Sequence, residues 1–426
     1  MTLNRNDIVN NVAVWMPVIG MLMLISAIPY GWSWYQNLSC FVLGIGYLAY
    51  ILVYKTWRDV RWDRTKWMYV VMLAIWAMYP LRQLFDTTPP TDFFWQQVHR
   101  HEWFLYIGIA GFLGFPDKLQ LKHVAYVMLL TSVFMLAHCI GLYIFTDELI
   151  GYDEMHMPLK RFDELRLLHI HSHMVMNLYL NTAILFGFYA LRQDKEWWKR
   201  VFIGFGIVCA LAIIWLSIGR IGKVTSMFIL AVYLLYRLLR VNRWAAIGSA
   251  VTCIVIGIVC MFLIPEMRVK SLQGDPREAV WNYSWRMIKE KPFTGYGVST
   301  LGVQYVEEAY QDSVMLRGYI EPIIYTYPVF SEQGKTMNTH HPHNAFLMYW
   351  LAVGIIGVIL LLALFGTAAC LPVGQDKVYL WLMLLAIFLQ SLTEPIGFHL
   401  LAQFIAVMLF VWERTHPHAE CQKACR

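Results

Sequence analysis

Apolar residues occur along the chain in long runs, separated by short polar segments. Because a helix that crosses a bilayer needs about 20 predominantly apolar residues, these runs predict about twelve membrane-spanning helices. We place them at residues 12–30, 34–54, 67–83, 102–114, 123–145, 170–191, 201–219, 222–236, 245–264, 344–365, 378–392 and 398–412. The fourth span is short and would need cover from its neighbours. The first is too long for the core of a cleavable signal peptide.

The composition agrees with this pattern, since 58% of the residues are hydrophobic, 15% are charged and the mean hydropathy is +0.49. Such values are typical of membrane proteins and argue against a soluble enzyme. We therefore expect an all-α integral membrane protein in which residues 1–426 form a single polytopic domain.

Basic residues are concentrated in alternate loops, most densely at 55–66, 192–200 and 237–243. The positive-inside rule assigns these loops, and with them both termini, to the cytoplasm. The longest polar segment, 265–343, then lies outside as a large loop between the ninth and tenth predicted spans. The distribution of charge matters more than the formal net charge of +6, and no nucleic-acid partner is expected.

The eight cysteines do not form a pattern that suggests disulfides, because none lies in the outer loop 265–343. Cys421 and Cys425 lie close to His416 and His418, which is a possible zinc pattern. A frayed C-terminal tail is the favoured interpretation.

Within the outer loop, Pro276 to Lys291 reads as a helix, with Arg277, Trp281, Trp285 and Ile288 on one face by helical period. Tryptophans on one face suit a helix that lies at the membrane interface. A turn at 293–297 follows, and a second helix is predicted from Thr300 to Ser313.

The segment 340–344 reads His-His-Pro-His-Asn and stands directly before the tenth predicted span. Imidazole is the side chain best able to exchange a proton near neutral pH. In that span, Gly354 and Gly357 are three residues apart, which predicts a shared helix face that another helix approaches closely. The alternative is a water-exposed loop of histidines that caps a helix. A second group, His169, His171 and His173, is interpreted as structural or substrate-lining because no acidic zinc partner is adjacent.

Two arginines complete the candidate chemistry on the outer side. Arg220 lies between two spans joined by almost no loop, and Arg277 lies on the interfacial helix. Arg220 could instead extend to the interface, and Arg277 could be a solvated charge. Arginine holds phosphate oxygens in a bidentate fork, and a lipid-linked diphosphate is the natural phosphate compound at this surface. The outer segments contain no Asp-x-Asp motif, so we expect arginines instead of a metal to stabilise the leaving group, and no cofactor.

These motifs resemble the bacterial O-antigen ligase family, which shares its C-terminal region with O-antigen polymerases. The resemblance is carried by His343-Asn344 followed after nine residues by Gly354-x-x-Gly357, and by Arg277-x3-Trp281 with the Pro and Gly residues at 292–297. The segment Ser217-x-Gly-Arg220 resembles the family's arginine at the membrane edge. Val224 departs from that pattern, in which Leu is expected, and the change is conservative.

The resemblance implies a GT-C-like, metal-independent, inverting glycosyltransferase. It would move O-antigen polysaccharide from undecaprenyl diphosphate to lipid A-core oligosaccharide at the periplasmic face of the bacterial inner membrane. Arg220 and Arg277 would bind the diphosphate, and His343 would be the general base. Asn344 would orient that imidazole, with His340, His341 and Trp281 in support.

Two other functions stay open at this point. An O-antigen polymerase would use the same donor with a different acceptor, and a transporter would move a lipid-linked sugar without chemistry. The candidate residues gather at one surface and the chain shows no internal symmetry, which favours an enzyme over a transporter.

Overall fold

The computed structural model describes residues 5–30, 33–58, 60, 62–145, 173–217, 220–245, 247–249, 251, 255, 276–301, 342–393, 396 and 400–416. These residues form helices and connecting loops, without a β-sheet. The long α-helices are α1 Arg5–Ala27, α2 Ser33–Tyr54, α3 Lys66–Gln83, α4 Asp92–Leu113, α5 Leu121–Phe145, α6 His173–Gln193, α7 Trp197–Leu216, α8 Arg220–Leu239, α9 Pro276–Glu290, α10 Ala345–Val353, α11 Ile355–Ala369, α12 Lys377–Ser391 and α13 Leu401–Thr415. Short 3₁₀ helices occupy Thr56–Arg58 and Gly374–Asp376.

Six of the described helices, α1, α2, α5, α6, α7 and α8, are long and apolar enough to cross a membrane, and α11 is a shorter apolar helix. The prediction of an all-α membrane protein is therefore confirmed. The predicted ninth span, 245–264, lies almost entirely outside the described residues, as does the helix predicted at Thr300–Ser313 beyond its first residues.

The predicted fourth span, 102–114, is too short, because α4 begins at Asp92. The side chain of Thr91 accepts a hydrogen bond from the Phe94 amide and caps the helix, and the negative charge of Asp92 suits its first turn. His99, Arg100 and Glu102 lower the hydropathy of the first turns. The buried side of the helix nevertheless continues unbroken through Phe94, Gln97, His101 and Phe104.

The centre of the bundle is formed by α6 and α13, whose side chains are almost all buried. The end of α13 carries a buried carboxylate, Glu413, that accepts hydrogen bonds from Tyr69 (2.8 Å) and Thr65 (3.2 Å). Next to it, Lys66 and Arg414 both donate to the carbonyl of Gly111, at 2.6 and 2.7 Å. These bonds fix α13 against the adjacent ends of α3 and α4, because a buried charge is stable only when it is paired.

The predicted tenth span, 344–365, is not one helix but two, α10 and α11, which fold back on each other at Gly354. The rings of Phe346 and Phe365 both pack on Phe388, at 5.5 and 5.7 Å, whereas a continuous helix would separate them by about 28 Å. Gly354 has φ +77°, a left-handed conformation that ends α10 and that glycine adopts without a steric penalty. The hairpin formed by α10 and α11 therefore replaces the expected straight span.

Gly357 allows close packing, as predicted, but the partner is the same hairpin rather than a separate helix. A Cβ atom at Gly357 would lie 3.1 Å from the Cβ of Tyr349 and 2.5 Å from a methyl group of Val353. The two glycines thus do not share one helix face. Gly354 makes the turn, and Gly357 lets α11 lie against α10.

Candidate functional site

The His-Asn motif lies at the start of α10. Asn344 is the N-cap: its Oδ1 accepts a hydrogen bond from the Leu347 amide at 3.1 Å, and its Nδ2 donates to the Leu392 carbonyl at 3.1 Å. The Asn344 side chain is buried. It therefore fixes the start of α10 against the end of α12, and its predicted role toward the imidazole of His343 stays a prediction.

His343 is half-buried and has φ +48°, one of two non-glycine residues with positive φ among those described. Left-handed backbone at a non-glycine residue costs on the order of 1–3 kcal/mol and is maintained only where the surrounding structure imposes it. Here the neighbours on both sides are held, Asn344 by its cap and Pro342 by Trp281. The strain makes His343 a candidate functional residue independently of its chemistry.

Helix α9 packs on this segment. The indole Nε1 of Trp281 donates to the Pro342 carbonyl at 2.9 Å, and the rings of Trp285 and Trp350 meet edge to face at 5.5 Å. The buried side of α9 is formed by Tyr283, Ser284, Met287 and Ile288. The predicted helix is confirmed within one residue, but its tryptophans adjoin α10 rather than sharing the buried face with Ile288.

A cavity of about 510 Å³ opens between α9, α10, α11 and α12. Its walls are largely aromatic and aliphatic, and Asn344 lies at its edge. They are formed by Trp281, Asn282, Trp285, Asn344, Phe346, Leu347, Trp350, Val358, Leu362, Phe388 and Leu392. Cavities with such walls suit an apolar ligand, and Asn344 at the edge follows His343 directly in the sequence.

The loop after α9 completes the turn at Gly354 by backbone pairing. The Tyr296 and Gly297 amides donate to the Leu351 and Ala352 carbonyls, at 2.7 and 3.0 Å, and the Ile355 amide donates to the Pro292 carbonyl at 3.1 Å. These bonds satisfy carbonyl groups at the end of α10 and an amide at the start of α11, which have no partner within their own helices. The hairpin and the loop 292–297 are therefore one folded unit.

The guanidinium of Arg82, at the end of α3, donates to the carbonyls of Thr294 and Gly295 at 3.0 and 3.3 Å. Ser299 donates to the Gln83 side chain at 2.8 Å. The segment after α9 is thus anchored to the α3–α4 hairpin as well as to α10.

A buried polar group holds α10 from the opposite side. His101 of α4 lies with Nε2 2.8 Å from the Tyr349 hydroxyl and 3.3 Å from that of Tyr79, and its Nδ1 donates to the Gln97 carbonyl at 2.7 Å. Tyr79, His101 and Tyr349 are all at most 1% exposed. The sequence pattern does not distinguish these residues, since a buried histidine among apolar residues leaves no periodic or motif signal.

The first turn of α8, which begins with Arg220, packs on α6. A Cβ at Gly222 would lie 2.5 Å from the Asn177 side chain, and the Gly222 carbonyl accepts a hydrogen bond from Asn181 at 3.1 Å. Asn177 accepts from Ser217 at 3.2 Å, while its buried Nδ2 has no hydrogen-bond partner in the described part of the chain. A free donor beside a helix N-terminus is suited to an anion.

For the two candidate arginines, Arg220 and Arg277, the structure describes only the backbone. Arg220 is the first residue of α8, and Arg277 lies in the first turn of α9, one turn before Trp281. Their side chains, together with His340, His341 and the histidines 169 and 171, lie outside the described parts. The described residues bring Trp281 and Asn344 to His343, and the convergence of the arginines on this point stays a prediction.

Among the described residues, no group of three His, Cys, Asp or Glu side chains could hold a metal ion. Cys40, Cys139, Cys209 and Cys370 are free thiols. Since His169, His171, His340 and His341 lie outside those residues, metal independence stays a prediction.

Residues 205–362 match the family model described as O-antigen ligase. The match includes all of α8 and α9, the His343-Asn344 motif and Gly354. No curated protein matches the chain significantly. The resemblance predicted from the sequence motifs is thereby confirmed over residues 205–362, which are similar to the O-antigen ligase family.

Proposed function

We propose that the chain is an O-antigen ligase, which transfers O-antigen polysaccharide from undecaprenyl diphosphate to the lipid A-core oligosaccharide. The observation that carries this proposal is the strained, doubly anchored His343, which directly precedes Asn344 at the edge of an apolar cavity and lies inside the region that matches the family. A general base must be positioned before its proton affinity matters, and here the backbone is positioned on both sides.

His343 would take the proton of the acceptor hydroxyl. The acceptor oxygen would then attack the anomeric carbon of the donor sugar from the side opposite the diphosphate. A new carbon–oxygen bond forms as the bond to the diphosphate breaks, and the configuration inverts. The leaving group takes the bonding electrons, so its developing negative charge must be stabilised.

Arg277 is proposed as one of the groups that stabilise this charge. It precedes Trp281 by four residues, so both lie on one face of α9. The Trp281 indole reaches the residue before His343. In the register of α9, the backbone of Arg277 lies about one helical turn, or roughly 6 Å along the axis, before that of Trp281.

Arg220 is proposed as the second diphosphate ligand. The N-terminus of α8 contributes backbone N–H groups and a partial positive charge, and the buried Nδ2 of Asn177 adds a donor beside it. We propose that Asn177 belongs to this anion site. An unsatisfied buried donor is costly, and a phosphate oxygen would satisfy it.

The cavity between α9, α10, α11 and α12 is proposed to hold the part of the isoprenoid chain next to the diphosphate. Its walls are largely apolar, and Asn344 lies at the edge that adjoins His343. In our proposal the outer loop 265–343 faces the periplasm, the termini are cytoplasmic, and the full chain has about twelve spans in a GT-C-like arrangement. The basic-loop pattern supports this orientation.

The test uses the purified full-length protein with a synthetic undecaprenyl-diphosphate glycan and lipid A-core oligosaccharide. A ligase forms a lipid A-core product that carries the donor glycan. A polymerase instead extends the donor glycan and leaves lipid A-core unmodified, and a transporter forms no glycosidic bond. Transfer that persists in EDTA supports stabilisation by arginine. Loss in EDTA that one divalent ion restores would contradict the metal-free mechanism.

A further inference from the structure

A second cavity, of about 620 Å³, lies away from the family region, between α1, α2, α4 and α13. None of its lining residues falls within 205–362. The volume is within the roughly 300–1,000 Å³ typical of sites for small molecules. Such a cavity is a separate candidate for a ligand.

The cavity is polar at one end and apolar at the other. Gln36 near the start of α2, Arg100 of α4 and Gln403 near the start of α13 contribute polar groups. The carboxylate of Glu102 also lines the cavity; it lies 3.4 Å from the His99 imidazole and accepts a hydrogen bond from the Tyr106 hydroxyl at 3.2 Å. Further along the same helices, Tyr47 of α2 and Phe410 of α13 line the apolar part. A ligand that matches this gradient is amphipathic, with its polar group near the N-terminal ends of the three helices.

Gln403 provides an independent sign of a ligand. Its side chain is 3% exposed, lines the cavity, and makes no hydrogen bond to the residues that the structure describes. Most buried polar side chains have a partner, so an exception needs an explanation. A ligand with an oxygen acceptor or a hydroxyl group would supply that partner.

Arg100 indicates the chemistry of the polar group. Arg100 is half-buried in α4 and lines the cavity. A guanidinium has five donors in a planar fork that matches phosphate oxygens. The polar group of the ligand is therefore expected to contain a phosphate.

The surroundings of α2 indicate the source of the ligand. The outward side of α2 exposes large apolar residues, including Phe41, Leu48 and Leu52, at 64%, 57% and 57%. Exposed apolar side chains on a membrane-spanning helix face lipid, so the cavity is next to the acyl chains of the bilayer. The Tyr47 hydroxyl donates to the Ala110 carbonyl at 3.1 Å and closes the contact between α2 and α4 beside the apolar part.

We propose that this cavity binds one glycerophospholipid of the surrounding bilayer, with its phosphate at Arg100 and Gln403 and an acyl chain along Tyr47 and Phe410. The site is separate from the proposed transfer site and does not depend on it. The acyl chain fills a space between the α1–α2 hairpin and the rest of the bundle, and the phosphate satisfies the Gln403 amide.

Native mass spectrometry of the full-length protein in detergent tests the proposal, with dioleoyl phosphatidylglycerol as the probe and dioleoylglycerol as its phosphate-free match. We expect one phosphatidylglycerol per chain and about 10-fold weaker retention of dioleoylglycerol. Arg100→Gln and Gln403→Leu should both bring phosphatidylglycerol close to the level of dioleoylglycerol. Equal retention of the two lipids by the unmodified protein would overturn the phosphate assignment.

A cavity-filling variant gives a second, independent readout. Gly44 lines the cavity, and a Cβ there has no heavy atom within 4 Å, so Gly44→Leu should fold and exclude the acyl chain. Gly204→Leu on α7 is the matched control, because that position is equally open. Unchanged lipid retention in Gly44→Leu would contradict the location. Displacement of the phospholipid by undecaprenyl phosphate at equal concentration would assign the cavity to the donor instead and overturn the proposal.

Discussion

The indole of Trp281 and the carbonyl of Pro342 form a hydrogen bond of 2.9 Å, and this contact connects α9 to the residue that precedes His343. The two residues are far apart in the sequence, near opposite ends of the segment 265–343. The bond brings the helix that carries Arg277 to the histidine motif. The candidate site is therefore assembled from two separate parts of the matched region.

The first prediction concerns the base. His343→Asn should lower transfer by about 10²–10⁴-fold, the usual cost of removing a general base, without lowering the amount of folded protein. Asn is the informative substitution because, unlike most residues, it tolerates the left-handed conformation at φ +48°. Transfer of glycan to lipid A-core is measured with purified protein, together with donor binding.

His343→Gly, which also tolerates this backbone, should fail to the same degree, while His340→Ala should remain partly active. Donor binding should persist in His343→Asn, since the arginines hold the diphosphate. Normal transfer by His343→Asn, or failure only through lost donor binding, would show that His343 is not the base.

The second prediction concerns the arginines. Arg220→Lys and Arg277→Lys retain the charge but lose the bidentate fork, so each should lower transfer almost as much as substitution by Ala, by about 10²-fold or more. Arg286→Lys is the control on α9: this side chain is exposed and lies 5.8 Å from the Tyr283 ring centre, so its effect should be mild. An equal, severe loss of transfer in Arg286→Lys would contradict the assignment of the diphosphate contact on α9 to Arg277.

Much of the helical framework could be predicted from the sequence because long apolar runs dictate it. Helix α9 was also predictable within one residue, since Pro276 and Pro292 delimit it. The start of α4 could not be predicted in this way. Arg100 and Glu102 lower the mean hydropathy of its first turns, although the opposite face of these turns is buried. Hydropathy averages over all faces of a helix, whereas burial acts on one.

The hairpin at Gly354 was missed for a different reason. A continuous apolar run with two glycines is equally compatible with a straight, closely packed helix. The turn depends on the left-handed conformation of Gly354 and on carbonyls that Tyr296 and Gly297 satisfy from a distant segment. Neither leaves a signal in the local pattern. The role of Asn344 as a cap is likewise visible only once α10 is seen to begin at the next residue.

The third prediction concerns this turn. Gly354→Ala should strongly destabilise the protein, because a methyl group there would overlap with the Phe293 carbonyl and φ +77° disfavours alanine. The expected cost is at least about 1–3 kcal/mol, and the yield of monodisperse protein should fall with the unfolding temperature. Gly366→Ala in α11 is the control, because a Cβ there meets nothing within 4 Å and alanine favours a helix. Equal thermal stability of the two variants would contradict the proposed importance of the turn.

The fourth prediction concerns orientation. Ser313→Cys, in the outer loop, should react with a membrane-impermeant maleimide in intact cells whose outer membrane is permeabilised. Labelling of this loop should come from the introduced cysteine alone, since none of the eight native cysteines lies within 265–343. Asn242→Cys, in the basic loop 237–243, is the cytoplasmic control and should react only after the inner membrane is lysed. The reverse pattern, with labelling at 313 only after lysis, would overturn the topology.

The last prediction separates positioning from simple packing. Trp281→Phe keeps an aromatic ring in the cavity but removes the only donor of the indole, leaving the Pro342 carbonyl without that bond. Trp285→Phe is the matched control on the same helix, since Trp285 contacts the Trp350 ring and no hydrogen bond of its indole is present among the described residues. A neutral hydrogen bond contributes about 0.5–1.5 kcal/mol, so both variants should unfold within a few degrees of the unmodified protein.

Kinetics of the two variants then decide the role of the bond. If it positions His343, Trp281→Phe should lower the turnover rate by roughly 10-fold with little change in donor binding, because an interaction that aligns the base acts on the reaction step. Trp285→Phe should weaken donor binding, if anything, and leave turnover nearly unchanged. Equal effects of the two substitutions on turnover would show that the tryptophans only fill space, and that Trp281 does not position the base.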